Sequence, residues 1–92
     1  MKTAFVTGAS SGFGRAICRT LIAKGYRVLG GARRLDKLQA LETELGVNFI
    51  PLALDVTDPV SLGTAMEQIA DAKLQIDLLV NNAGLALGVD KA

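Results

Sequence analysis

Thr7-Gly8-Ala9-Ser10-Ser11-Gly12-Phe13-Gly14 is the stretch on which the reading of this chain turns. Just before it, Ala4-Phe5-Val6 is a short apolar run of the kind that forms a buried strand. Just after it, Phe13, Ala16, Ile17 and Leu21 recur at helical spacing up to Gly25, where a helix should stop. The glycines therefore occupy a turn from strand into helix. Gly8 lets the chain reverse sharply, Gly12 leaves backbone bare for a pyrophosphate, and Gly14 lets the helix pack close to the strand. Unpaired N–H groups and the positive end of the helix dipole then face an anion, with Ser10 and Ser11 as further donors. A glycine turn that merely joins a strand to a helix would look the same, so the rest of the chain must decide.

Outward from that turn, short apolar runs alternate with amphipathic stretches. Tyr26 to Gly31 reads as a second strand centred on Val28-Leu29. Leu35, Leu38, Leu41 and Leu45 mark a second helix, closed by Gly46. Val47 to Leu54 is a third strand, and Pro51, lacking a backbone donor, suits an edge. Asp58 and Pro59 are an N-cap and first helical residue, followed by an apolar stripe of Leu62, Ala65, Met66, Ile69 and Ala70. Ile76 to Val80 is a fourth strand, ended by Asn81-Asn82-Ala83-Gly84. Such alternation predicts an α/β architecture: a doubly wound parallel sheet of about four strands in the order 3-2-1-4, with three helices. The ligand crevice should lie between strands 1 and 4. The first two helices should cover one face of the sheet and the third helix alone the other.

Composition narrows the classes of partner. Ninety-two residues with 50% hydrophobic and 21% charged side chains suit one small globular unit, spanning 1–92 with no linker or repeat. A net charge of +1, with no basic run beyond Arg33-Arg34, argues against a nucleic-acid partner. No apolar run approaches the ~20 residues of a membrane span, and none at the start suits a signal peptide. A cytoplasmic location is the expectation. The single Cys18 can form no internal disulfide and reads as a packing residue.

Three motifs in order give the chain a resemblance to the short-chain dehydrogenases/reductases. The family pattern T-G-x3-G-x-G falls on Thr7, Gly8, Gly12 and Gly14, and N-N-A-G falls on Asn81, Asn82, Ala83 and Gly84. The family's adenine-contacting Asp near the end of the third strand falls on Asp55, followed by Val56. The resemblance implies a Rossmann-type fold, and with it a cofactor site drawn from Gly8, Ser10, Ser11, Gly12, Phe13, Gly14, Asp55, Val56, Asn82, Ala83 and Gly84. Asn82-Ala83-Gly84 would lay small-residue backbone beside the cofactor ribose. Taken singly, Asn81–Gly84 could be only a polar strand terminus and Asp55 only a turn former.

The end of the second strand bears on cofactor choice. An NAD site places Asp or Glu there to bond the ribose 2′-hydroxyl. This chain has Ala32-Arg33-Arg34, with no acid before Asp36. A carboxylate would repel a 2′-phosphate and guanidinium groups would bind it, so Arg33 and Arg34 favour NADP over NAD. A solvated pair of surface arginines is the plainer alternative.

The family's catalytic Tyr-x3-Lys pair and Ser are expected beyond residue 92. The only tyrosine is Tyr26, with Gly at position 30, and there is no histidine. No catalytic residue and no metal ligand set is therefore assigned, and the chain alone is expected to be inactive. The glycine turn, the arginine pair and Asn81 to Gly88 together resemble bacterial NADP-dependent 3-hydroxy-acid dehydrogenases that oxidise serine or allo-threonine. A full-length enzyme would pass a hydride between NADP(H) and a small-molecule alcohol or carbonyl, and a homo-oligomer is expected. A non-catalytic NADP-binding or sensing module would use the same site. An unrelated nucleotide fold such as a methyltransferase is disfavoured by the arginines and by Asn81–Gly84.

Overall fold

Each residue of the first strand faces a protein environment, and the sheet is built outward from it. A computed structural model describes residues 1–82. The elements are β1 (Thr3–Thr7), α1 (Gly12–Ala23), β2 (Arg27–Ala32), α2 (Leu35–Leu45), β3 (Phe49–Ala53), α3 (Pro59–Asp71) and β4 (Leu78–Asn81). All pairings are parallel and the strand order is β3-β2-β1-β4, as the alternation of patterns predicted. Pro51 lies in β3 at the sheet edge, where a missing donor costs no ladder bond on its open side.

Strand side chains alternate between two cores. Ala4, Val6, Val28 and Phe49 point to one face, where Cys18 and Leu21 of α1 and Leu38 and Leu41 of α2 cover them. Phe5, Leu29 and Leu52 point to the other, where Ala65 and Ile69 of α3 lie. β1 is buried along its whole length, as a central strand of a parallel sheet must be when both faces are covered. Across the first face the Phe49 ring lies over Gly30: a Cβ there would stand 2.4 Å from the ring carbon Cζ. Cys18 is wholly buried, and burial pushes its thiol pKa up to about 11, so it packs as a small hydrophobe.

Two expectations about helix faces need correction. Phe13 is 78% exposed and Ala16 is exposed; the inward stripe of α1 is Gly14, Ile17, Cys18 and Leu21. Adjacent helical residues point about 100° apart, so the predicted stripe was rotated by one residue at its start. In α3 only Ala65 and Ile69 are buried, while Leu62 and Met66 are 38% and 45% exposed and Ala70 is exposed too. Leu62 and Met66 instead border an apolar trough of about 480 Å³ that runs to Ile76 and to Leu79 on β4. Among the described residues α3 is the only helix on that face, so it leaves part of its own stripe and the outer strand uncovered.

β4 carries the consequence. It pairs with β1 on one side only, and Leu79 is 62% exposed. An apolar edge strand beside an apolar trough favours association. The purified 92-residue chain is therefore expected to sediment as dimers or larger species, and Leu79→Lys should shift it toward monomer. A cooperatively melting wild-type monomer at micromolar concentration would contradict this.

Candidate functional site

The glycine turn is held by a compact set of hydrogen bonds. Gly8 has φ +67°, a left-handed conformation that glycine adopts without strain. The Ala9 N–H donates to the Gly31 carbonyl at 3.0 Å, fastening the turn to β2. Ser11 is the N-cap of α1: its Oγ accepts the Gly14 N–H at 3.0 Å and donates to the Gly8 carbonyl at 2.9 Å. Asn82, buried beyond β4, donates its side-chain amide to the same Gly8 carbonyl at 3.0 Å and to Ser11 Oγ at 2.9 Å. Ser11 thus has its one hydroxyl proton committed within the turn.

Gly14 and Gly12 are glycines for different reasons. A Cβ on Gly14 would stand 2.0 Å from the Gly8 carbonyl oxygen, so the close contact of α1 with the turn needs a bare backbone. A Cβ on Gly12 would meet nothing within 4 Å, and its φ is not positive. No contact among the described residues calls for glycine at position 12. Gly12 and Phe13 open α1, where N–H groups have no intrahelical acceptor, and the Phe13 ring stands in solvent.

A cleft of about 250 Å³ runs from this turn across the C-terminal ends of β1, β2 and β3. Gly8 and Ser10 border it at the turn, Arg33 and Arg34 after β2, and Leu54, Asp55, Val56 and Thr57 after β3. The crevice was expected between β1 and β4. At that boundary Asn82 reaches onto Gly8; this cleft opens on the β2 and β3 side, and the apolar trough reaches Thr7 and Asn81 at the ends of β1 and β4. Ala83 and Gly84 lie outside the described residues.

The charged groups around the cleft are unequal. Arg34 Nε and Nη2 each lie 3.3 Å from an oxygen of the Asp36 carboxylate, in an exposed pair. The hydrogen bond from Arg34 holds the Asp36 carboxyl below its ordinary pKa. Arg33 makes no ion pair among the described residues. Asp55 Oδ1 accepts the Thr57 N–H at 3.0 Å and the Thr57 hydroxyl at 2.6 Å. Those bonds hold its carboxyl low, with a smaller contribution from the charge of Arg33. Asp55 therefore shapes a turn and lines the cleft at once. Thr57 and Asp36 were not among the residues singled out from sequence. Asp55-x-Thr57 carries a local signal, an acceptor two residues before a Thr, whereas the partner of Arg34 shows itself only once the helix is placed.

Among the described residues no group of three His, Cys, Asp or Glu could hold a metal ion, and no helix is long and apolar enough to cross a membrane. The arrangement suits an elongated anionic ligand: backbone donors at one end of the cleft, guanidinium groups at the other, and apolar walls between.

Comparison with known proteins agrees with the geometry. A family model described as short chain dehydrogenase matches residues 2–92. A probable NADP-dependent dehydrogenase of Haemophilus influenzae is 50% identical over 90 residues, which is 98% of this chain and 36% of that protein. A serine 3-dehydrogenase of Agrobacterium fabrum is 46% identical over 90 residues, again 98% of this chain and 36% of that protein. The crystal structure of serine dehydrogenase from Escherichia coli superposes with a TM-score of 0.78 at 35% identity, covering 84% of this chain and 35% of that one. The chain thus spans about a third of the length of these relatives.

The contact at Gly14 can be weighed directly. In an exposed helix interior Gly→Ala stabilises by about 1 kcal/mol, whereas forcing a methyl into a filled contact costs about 1–3 kcal/mol or more. With backbone 2.0 Å from the new Cβ, the second effect should win. Gly14→Ala is expected to lower the urea midpoint; a raised midpoint would mean that α1 can move off the turn without cost.

Proposed function

The chain belongs to the short chain dehydrogenase family, and from that premise we propose that it is the NADP-binding part of an oxidoreductase. The full reaction would pass a hydride between NADP(H) and an alcohol or carbonyl carbon. The observation that carries this reading is the cleft itself, which has the glycine turn at one end and Arg33 and Arg34 at the other.

The residues present fit the dinucleotide. The open space beside Gly12 is room that a diphosphate could take, next to the N–H groups of Gly12 and Phe13 at the positive end of α1. Ser10 borders the cleft at the turn, while Ser11 serves by shaping the turn. Asp55 and Val56 would flank the adenine at the β3 end, and Arg33 and Arg34 would receive the 2′-phosphate. Asn82 would hold the turn in shape from β4, with Ala83 and Gly84 following it beside the ribose. When bound, the nicotinamide supplies or accepts the hydride; this chain binds and orients. Names of the Agrobacterium and Escherichia coli relatives support a 3-hydroxy acid such as serine as the substrate class.

The ninety-two residues contain no Tyr-x3-Lys pair to serve as proton donor. A second reading is a non-catalytic NADP-binding or sensing module, which would use the same cleft. No hydride transfer is expected from the 92-residue chain with serine and NADP at any pH; measurable NADPH formation would remove this reading.

Binding separates the site from its rivals. The Arg33→Ala, Arg34→Ala double variant should lose NADPH affinity by about 1.5–3 kcal/mol per charged contact, with NADH nearly unaffected in calorimetry. Equal losses for both cofactors would assign the arginines another role. Because nothing among the described residues crowds position 12, Gly12→Val should abolish binding of both cofactors while leaving the melting temperature close to wild type. Unchanged binding would remove the diphosphate from the turn.

A further inference from the structure

Arg33 and Arg34 are adjacent in sequence and line one cleft, yet they differ in what they must give up to bind an anion. Arg33 makes no ion pair among the described residues. Arg34 has two of its donors turned to the two oxygens of Asp36, at 3.3 Å each. Both members are largely exposed, with side chains 65% and 67% accessible. Charge-assisted bonds of this kind run at about 2.7–2.9 Å when tight. The Arg34–Asp36 pair is long and solvated, a loose tether rather than a clamp.

We infer that Asp36 is a specificity-determining residue, which lowers the preference for NADPH over NADH by tethering Arg34. The inference rests on the reading of the cleft as an NADP site. A 2′-phosphate must share Arg34 with a carboxylate or displace it, and that carboxylate repels the phosphate as well. NADH has a 2′-hydroxyl and meets neither obstacle. The acid has its own reason to be there. Asp36 lies in the first turn of α2, where a negative charge interacts favourably with the helix dipole. It can also accept hydrogen bonds from backbone N–H groups there. The other possibility is that Asp36 orients Arg34 for the phosphate. An exposed pair with bonds of 3.3 Å orients little, so competition outweighs positioning and the two accounts predict opposite signs.

Asp36→Asn keeps the size of the side chain and removes its charge, and the position is exposed, so the fold should tolerate it. Calorimetry of the 92-residue chain with NADPH and with NADH reads the effect. Asp36→Asn should tighten NADPH about three- to fivefold at low ionic strength, leave NADH unchanged, and lose the gain in high salt. In an Arg34→Ala background the same substitution should gain little. Weaker or unchanged NADPH binding by Asp36→Asn overturns the inference, as does a full gain in the Arg34→Ala background, which would make the effect plain repulsion. The wild type separates this failure from that of the cofactor reading. Wild-type preference for NADPH that survives while Asp36→Asn has no effect sinks only the role of Asp36. No wild-type preference sinks both.

Discussion

A missing side-chain carbon governs the molecule. The Gly8 carbonyl lies where a Cβ of Gly14 would be, and the start of α1 therefore packs directly against the backbone of the turn. That contact sets the rotation of the helix, which puts Ile17, Cys18 and Leu21 over Ala4 and Val28 and leaves Phe13 in water. The Gly8 carbonyl is also the hub of the hydrogen bonds from Ser11 and Asn82. Helix packing and the shape of the turn thus share one origin, the close approach of α1 to the Gly8 carbonyl.

Charge around the cleft differs between its glycine-turn end and its β2 end. Near the turn the donors are backbone groups, whose direction the fold fixes and which no titration removes. At the β2 end they are side chains, of which Arg34 is held in an exposed pair with Asp36 and Arg33 makes no ion pair among the described residues. The Asp55 carboxylate accepts two bonds from Thr57 on one oxygen and is so held in place beside the cleft. Under the proposed reading, the rigid donors would recognise what every dinucleotide has, and the mobile ones would discriminate between dinucleotides.

Most of the architecture was legible in the sequence because it depends on local chemistry. Asp58 accepts the Val60 N–H and Pro59 opens α3, as their residue types imply. Gly25 and Gly46 both take φ +91° where helices end. Pro51 sits in the edge strand. What escaped the sequence depends on contacts between distant segments. Periodicity finds a helix but not its rotation, so Phe13 was placed in the stripe that begins at Gly14. The stripe of α3 is apolar in sequence, but whether Leu62 and Met66 are buried depends on what lies over them. The task of Ser11 is defined by Asn82, 71 residues away. A hydroxyl beside a phosphate-binding turn looks like a ligand donor until its partner is known.

The pairing of β1 with β4 has a consequence for synthesis. The Thr3 N–H donates to the Asp77 carboxylate at 2.9 Å, and the Asp77 N–H returns a bond to the Thr3 carbonyl at 2.8 Å, across 74 residues. Of the four described strands β1 is made first, and its second neighbour, β4, is made last. Closing so long a loop before its contacts form is entropically costly, and parallel sheets built from such crossovers fold slowly. During that interval the nascent chain carries a strand with an apolar centre, Ala4-Phe5-Val6, and one bare edge, the kind of surface that chaperones hold. The central strand of the finished sheet is thus the most vulnerable one while it is being made.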